Sequence, residues 1–304
     1  MKITRDIHGV ILLDKPLGWS SNHAVQKIKR LYQAAKVGHT GTLDPLATGM
    51  LALCLGEATK FGQCLLEADK SYEAIVRLGQ TTTTGDREGE VVANSPVPAL
   101  TTTQLHQVAQ HFTGVISQIP PMYSALKVNG RVLYQLARKG EVIERAARTI
   151  TIHSLELTLL AADHLRLTVR CSKGTYIRTL AEDIGLCLGT GAHLRALRRT
   201  GVAHLPKEAV ISFDALAALS WDVLDQHVLP VDSCVASLPL LRLNAQETQR
   251  LLWGQAVVLA IPDEPGVRRL YHEQGQFLGL AHWQESGQLL PQRLINPTLW
   301  KGLC

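Results

Sequence analysis

Residues 38–49 read Gly38-His39-Thr40-Gly41-Thr42-Leu43-Asp44-Pro45-Leu46-Ala47-Thr48-Gly49 and lie between two apolar segments. Three glycines let a backbone come close to a ligand, and Asp44 is the one ionised acid among them. A lone carboxylate in such a loop has the chemistry of a nucleophile, provided its charge is maintained. An aspartate followed by proline is equally what a helix N-cap and its first-turn proline look like. The loop alone leaves both readings open.

The surrounding elements must position Asp44. Gly9–Leu13 reads as a short buried strand, and Ser21–Tyr32 as a helix with Val25, Ile28, Leu31 and Tyr32 on one stripe. Lys27, Lys29 and Arg30 lie off that stripe, with Lys36 just before the loop; they read as a solvated face or as phosphate contacts. After the loop, Met50–Leu55 reads as a buried strand and Glu57–Leu66 as a helix with Phe61 and Leu65 inward. Lys70–Gln80 alternates, with Tyr72, Ala74, Val76 and Leu78 on one face. Residues 84–89 are turn chemistry leading to a strand near Val91. Thr101 with Gln104 forms a capping box for a helix to Phe112, ended by Gly114. Pro120-Pro121 opens an extended segment to Lys127, Asn129-Gly130 signals a hairpin, and Leu133–Arg138 is a helix. Strands follow near Arg148–Leu157 and Leu165–Cys171. Such irregular alternation predicts an α+β fold with a mixed, largely antiparallel central sheet flanked by helices. The composition changes after about Val231. A capped helix near Leu243–Gly254 and short strands broken by Pro262, Pro265, Gly266, Gly275 and Gly279 then complete the chain.

The 304 residues, 46% hydrophobic, can bury one large core and a smaller one. Net charge +5 permits a polyanionic partner without demanding one. The six cysteines, Cys304 among them, form no Cys-x-x-Cys pair and no zinc-like cluster with the twelve histidines. Reduced thiols, an N-terminus without the apolar core of a signal peptide and no run long enough to span a bilayer predict a cytoplasmic protein.

The motif Gly38-His39-Thr40-Gly41-x-Leu43-Asp44-Pro45-x-Ala47-x-Gly49 resembles the active-site motif of the TruB-type pseudouridine synthases. Five further segments agree in order and spacing: Gly9–Pro16 with Gly18–Ser21; Lys70–Ala74; Pro120–Lys127; Gly174–Ala181; and Leu197–Thr200. The resemblance runs from about Gly9 to about Gly201 and continues more weakly to the C-terminus, where it implies a small β-barrel-like RNA-binding module (PUA-type). It implies a catalytic domain over 1–235 and the PUA-like domain over 236–304. Thr42 stands where the family often has a small residue.

The implied reaction detaches uracil from ribose at N1 and reattaches it through C5, at position 55 in the T-arm loop of transfer RNA. Nothing is oxidised, so neither metal nor organic cofactor is expected. Asp44 is then the nucleophile and needs a permanent cation beside it, because burial favours the protonated acid. Arg178 is the candidate, in the first turn of a helix capped by Thr175 with Ile177, Leu180, Ala181, Ile184 and Leu188 inward. A helix dipole mildly opposes a cation there, which a facing anion offsets. Tyr72 reads as a core tyrosine or as a ring stacked on the extracted base. Tyr176 lines the same pocket in this reading, and Leu197 closes it on the family match alone. His39 either bonds its own loop or fills the stack vacated by the flipped base. Lys15 and Lys127 are structural or phosphate contacts. Arg198 and Arg199, with His193, Arg195 and the upstream bases, are expected to form an electropositive surface for RNA.

A monomer that needs no protein partner and touches no membrane is expected. It isomerises uridine and also assists folding of the RNA. Two alternatives stand beside this reading. One is a transfer-RNA-binding or remodelling protein. The other is a guide-RNA-dependent relative, whose long basic tails this chain lacks.

Overall fold

The two most continuous apolar runs become neighbouring strands buried on both faces. In the computed structural model, which describes residues 4–128, 130–259 and 264–299, Gly9–Lys15 pairs antiparallel with Ala47–Leu55, Val10 opposite Cys54 and Leu12 opposite Ala52. Ile11, Leu13, Leu51, Leu53 and Leu55 point into one core, and Val10, Leu12, Met50, Ala52 and Cys54 into another. A strand with no solvent face has no reason to alternate, which is why these runs read as unbroken hydrophobe.

The nine-stranded sheet runs in the order Ile211–Ser212, Gly9–Lys15, Ala47–Leu55, Ala192–Val202, Lys70–Leu78, His164–Cys171, Arg148–Ala161, Gly114–Gln118, with Val37–His39 paired to Ala47–Leu55 off this path. Two contacts are parallel, Ile211–Ser212 on Gly9–Lys15 and Ala192–Val202 on Ala47–Leu55; the others are antiparallel. The expected α+β class with a mixed, largely antiparallel sheet is therefore the one observed. Helices Ser21–Leu31, Thr102–His111 and Ile177–Cys187 cover one face through Val25, Ile28, Leu105, Val108, Leu180 and Ile184. Thr101 and Gln104 close the predicted capping box.

The opposite face of the first two strands is covered by a five-stranded sheet, in the order Leu240–Leu243, Gly266–His272, Phe277–Trp283, Gln288–Leu294, Val257–Val258, with helix Ala245–Leu252. This is the small PUA-like sheet. Its Leu243, Leu270, Leu278, Trp283 and Leu289 share one core with Val10, Leu12 and Met50, so the two sheets are joined by buried apolar surface.

Several local expectations are corrected. Glu57–Leu66 is split at Phe61 into a 3-10 turn, Gly56–Lys60, and a helix, Gly62–Glu67, because Phe61 is pulled into the second core. The helix carrying Arg178 is capped by Tyr176; the Thr175 hydroxyl instead donates to Ser172 O at 2.9 Å. Residues 192–202 are a strand in which Leu197 stands between Ala47 and Ala74. The predicted hairpin pairs Lys127–Val128 with Arg131–Val132, while Asn129, Pro262 and Cys304 lie outside the described residues. No helix among the described residues is long and apolar enough to cross a membrane.

Candidate active site

Asp44 begins no helix. Pro45 and Leu46 lead directly into the strand Ala47–Leu55, and Asp44 O accepts a hydrogen bond from Ala47 N at 3.0 Å. The loop is held by bonds from three directions. The Ser21 hydroxyl donates to Leu43 O at 2.9 Å and accepts from Leu43 N at 2.7 Å. Pro45 O accepts from Gly18 N at 2.8 Å. Arg199, 3% exposed, donates to Gly41 O at 3.2 Å and Thr42 O at 2.9 Å, and its Nε donates to the Tyr72 hydroxyl at 3.3 Å. Gly49 lets Arg199 come this close: it holds φ +98°, and a Cβ there would stand 2.2 Å from Arg199 O.

Arg178 reaches the loop from the first turn of Ile177–Cys187. Its Nη2 lies 2.9 Å from Asp44 Oδ2 and donates to Tyr123 O at 2.6 Å; its Nη1 donates to Thr84 O at 3.0 Å and stands 3.7 Å from Asp86 Oδ2. The guanidinium side chain is 7% exposed, Asp86 6% and Asp44 42%. One buried cation thus faces a buried carboxylate behind it and a half-open one in front.

Asp44 and Arg178 border a cavity of about 360 Å³ whose walls include Tyr72, Tyr176, Leu197, Lys70 and Ser124. Tyr176 is fixed through its backbone, which donates to Gln118 Oε1 at 2.8 Å and accepts from Gln118 Nε2 at 3.1 Å. Burial raises the Tyr176 phenol above its usual range. Lys70 Nζ donates to the carbonyls of Leu65, Leu66 and Ala68, which end the helix Gly62–Glu67, and burial, then Arg199, lower its pKa to about 8.

The structure brings Asp44, Arg178, Tyr72, Tyr176, Leu197 and Arg199 to one cavity and leaves the other candidates outside its walls. His39 accepts from Gly41 N at 3.4 Å through Nδ1, and burial, then Arg199, lower its pKa, so the ring is neutral at pH 7. Lys15 is buried and donates to Pro16 O and Trp19 O at 3.0 and 2.6 Å; burial lowers it to about 8, against the pull of Asp44. Lys127 lies on the exposed hairpin.

The basic residues after the Arg178 helix differ in their placement. His193 is buried with Nδ1 3.0 Å from Gln80 O, Arg199 is buried beneath the loop, and Arg198 forks onto Asp14 at 3.0 and 2.8 Å. Arg195 and Arg198 are exposed on this bulged strand. The sequence reading missed Asp86, Gln118, Ser21 and Lys70. Lys70 had a legible signal, sharing the apolar face of its strand with Tyr72 two residues on. Asp86 sits in a glycine-flanked turn, where an aspartate is ordinary.

The fold matches a chain in a crystal structure of a Cbf5–Nop10–Gar1 complex, with TM-score 0.74 and 26% identity over 96% of this chain and 86% of that one. Residues 29–177 match the TruB family pseudouridylate synthase N-terminal domain, 178–236 the tRNA pseudouridylate synthase B C-terminal domain, and 239–295 the pseudouridine synthase II TruB C-terminal domain. The protein called tRNA pseudouridine synthase B of Methylobacillus flagellatus is 50% identical over 97% of both chains. That of Ralstonia nicotianae is 51% identical over 96% of this chain and 95% of its own. The chain belongs to the TruB family.

Proposed function

We propose that this enzyme isomerises uridine 55 in the T-arm loop of transfer RNA, taking the base out of the folded loop and into the cavity beside Asp44. The relatives' names supply transfer RNA as substrate. The observation that carries the mechanism is the 2.9 Å pair of Arg178 with Asp44 on the cavity wall. A carboxylate paired to a guanidinium that never deprotonates stays ionised when a substrate excludes water, and an ionised carboxylate is a nucleophile.

Flipping the base out costs a few kcal/mol, which stacking on Tyr72 offsets by about 1–3 kcal/mol. Tyr176 and Leu197 close the apolar walls, and His39, neutral in the adjoining strand, fills the vacated stack. The C1′–N1 bond then breaks, the base turns, and C1′–C5 forms. The C5 proton is lost and N1 gains one, so no oxidant is needed. Arg199 holds the loop that carries Asp44, Lys15 holds the Pro16–Trp19 turn bonded to that loop, and Lys127 and Arg198 meet the RNA backbone. Residues 1–235 form the catalytic domain and 236–304 the RNA-binding one, in a monomer that acts in the cytoplasm.

Asp44→Asn is the test. With wild-type protein alone and an unmodified transfer-RNA transcript, pseudouridine forms at that one position. Asp44→Asn binds the transcript with unchanged affinity and forms none. Product from the variant would remove Asp44 from the mechanism.

A further inference from the structure

Most polar side chains around the cavity have their hydrogen bonds already made. Lys70 donates to three carbonyls, Arg199 to the loop and to Tyr72, and Thr175 to Ser172 O. Ser124 differs. It is 5% exposed, it lines the cavity, and its Oγ has no hydrogen-bond partner. The Tyr176 phenol is near enough for the Ser124 hydroxyl to oppose the upward push of burial, yet the two do not meet hydrogen-bond geometry.

The backbone of Ser124, in contrast, is pinned. Its N–H donates to Met122 O at 2.9 Å and its carbonyl accepts from Tyr134 N at 3.0 Å. The carbonyl just before it, Tyr123 O, accepts from Arg178 Nη2, the nitrogen that meets Asp44. The free hydroxyl is therefore held one residue from the carbonyl that binds Arg178. Leaving a buried hydroxyl unpaired destabilises a fold, and such an orphan in a cavity wall calls for a ligand.

Resting on the isomerase reading above, we infer that Ser124 Oγ is the hydrogen-bond partner of the polar edge of the flipped uracil and holds it in the cavity while it turns. Between cleavage at N1 and reattachment at C5 the base is bound only by contacts. Aromatic and leucine walls grip its faces but leave its in-plane rotation free. A serine hydroxyl both donates and accepts and swings about its own bond, so one group serves a uracil carbonyl oxygen and the imide N–H in turn. Arg178 and Lys70 only donate.

The experiment compares wild type, Ser124→Ala and Ser124→Thr in single-turnover pseudouridine formation on transfer RNA, with RNA affinity and thermal unfolding measured on the same samples. Ser124→Ala is expected to slow the single-turnover rate about 10- to 100-fold with RNA affinity unchanged. It should also melt no lower than wild type, since the orphan is gone, and Ser124→Thr should restore most of the rate. Wild-type rate in Ser124→Ala would overturn the inference. So would a slowed variant that melts lower, binds RNA less well and is not rescued by threonine, since that pattern belongs to a structural serine. Failure of the wild type to form pseudouridine would overturn the isomerase reading itself, and this one with it.

Discussion

Replacing Arg178 by methionine tests how the cavity keeps its charges. Arg178 and Asp86 stand 3.7 Å apart with side chains 7% and 6% exposed. At an effective dielectric of about 20, their attraction is about 4 kcal/mol. Asp44 is nearer, at 2.9 Å, but 42% exposed, so water screens that pair to about 1 kcal/mol or less. Removing the guanidinium leaves Asp86 as a buried, uncompensated charge, and Arg178→Met is expected to lose about 3–5 kcal/mol in urea unfolding at pH 7. Adding Asp86→Asn removes the stranded charge and should restore most of that loss; adding Asp44→Asn should restore little. The double-mutant cycles therefore give a larger stability coupling for Arg178 with Asp86 than with Asp44. Turnover follows a different order, since every variant lacking Arg178 leaves Asp44 unpaired or replaced and should stay inactive. A stability coupling to Asp44 equal to that for Asp86, or a loss below about 1 kcal/mol in Arg178→Met, would refute the assignment of Asp86 as the anchor of the cation.

Two further outcomes follow from the same contacts. Gly49→Ala would place a Cβ 2.2 Å from Arg199 O at φ +98°, so it should lose more than about 3 kcal/mol of stability together with turnover; an unchanged melting temperature would contradict the close approach. Lys70 has a folded pKa of about 8 against 10.5 unfolded, so between those values the unfolded chain holds more protons and stability rises with pH. Wild type should gain on Lys70→Met by an amount on the order of 3 kcal/mol across that window, measured by urea unfolding, with a constant difference below it.

The strands buried on both faces, the capping box at Thr101 and the motif loop were readable in the chain, because each depends on neighbours within a few residues. So was the pairing of Asp44 with Arg178, though only through resemblance, since they are far apart in sequence and periodicity says nothing of such contacts. Which side chains of residues 192–202 are buried was not legible, because their bulged strand does not alternate cleanly: His193 and Arg199 are buried while Arg195 and Arg198 are exposed. Tertiary structure alone decided that Arg199 holds the loop from beneath, that Asp86 stands behind Arg178, and that Ser124 keeps a hydroxyl unpaired in the cavity. The physical reason is common to all three. Whether a polar side chain buried in a fold clamps a loop, balances a charge or awaits a ligand depends on atoms brought from distant segments, and nothing in its own stretch of sequence specifies them.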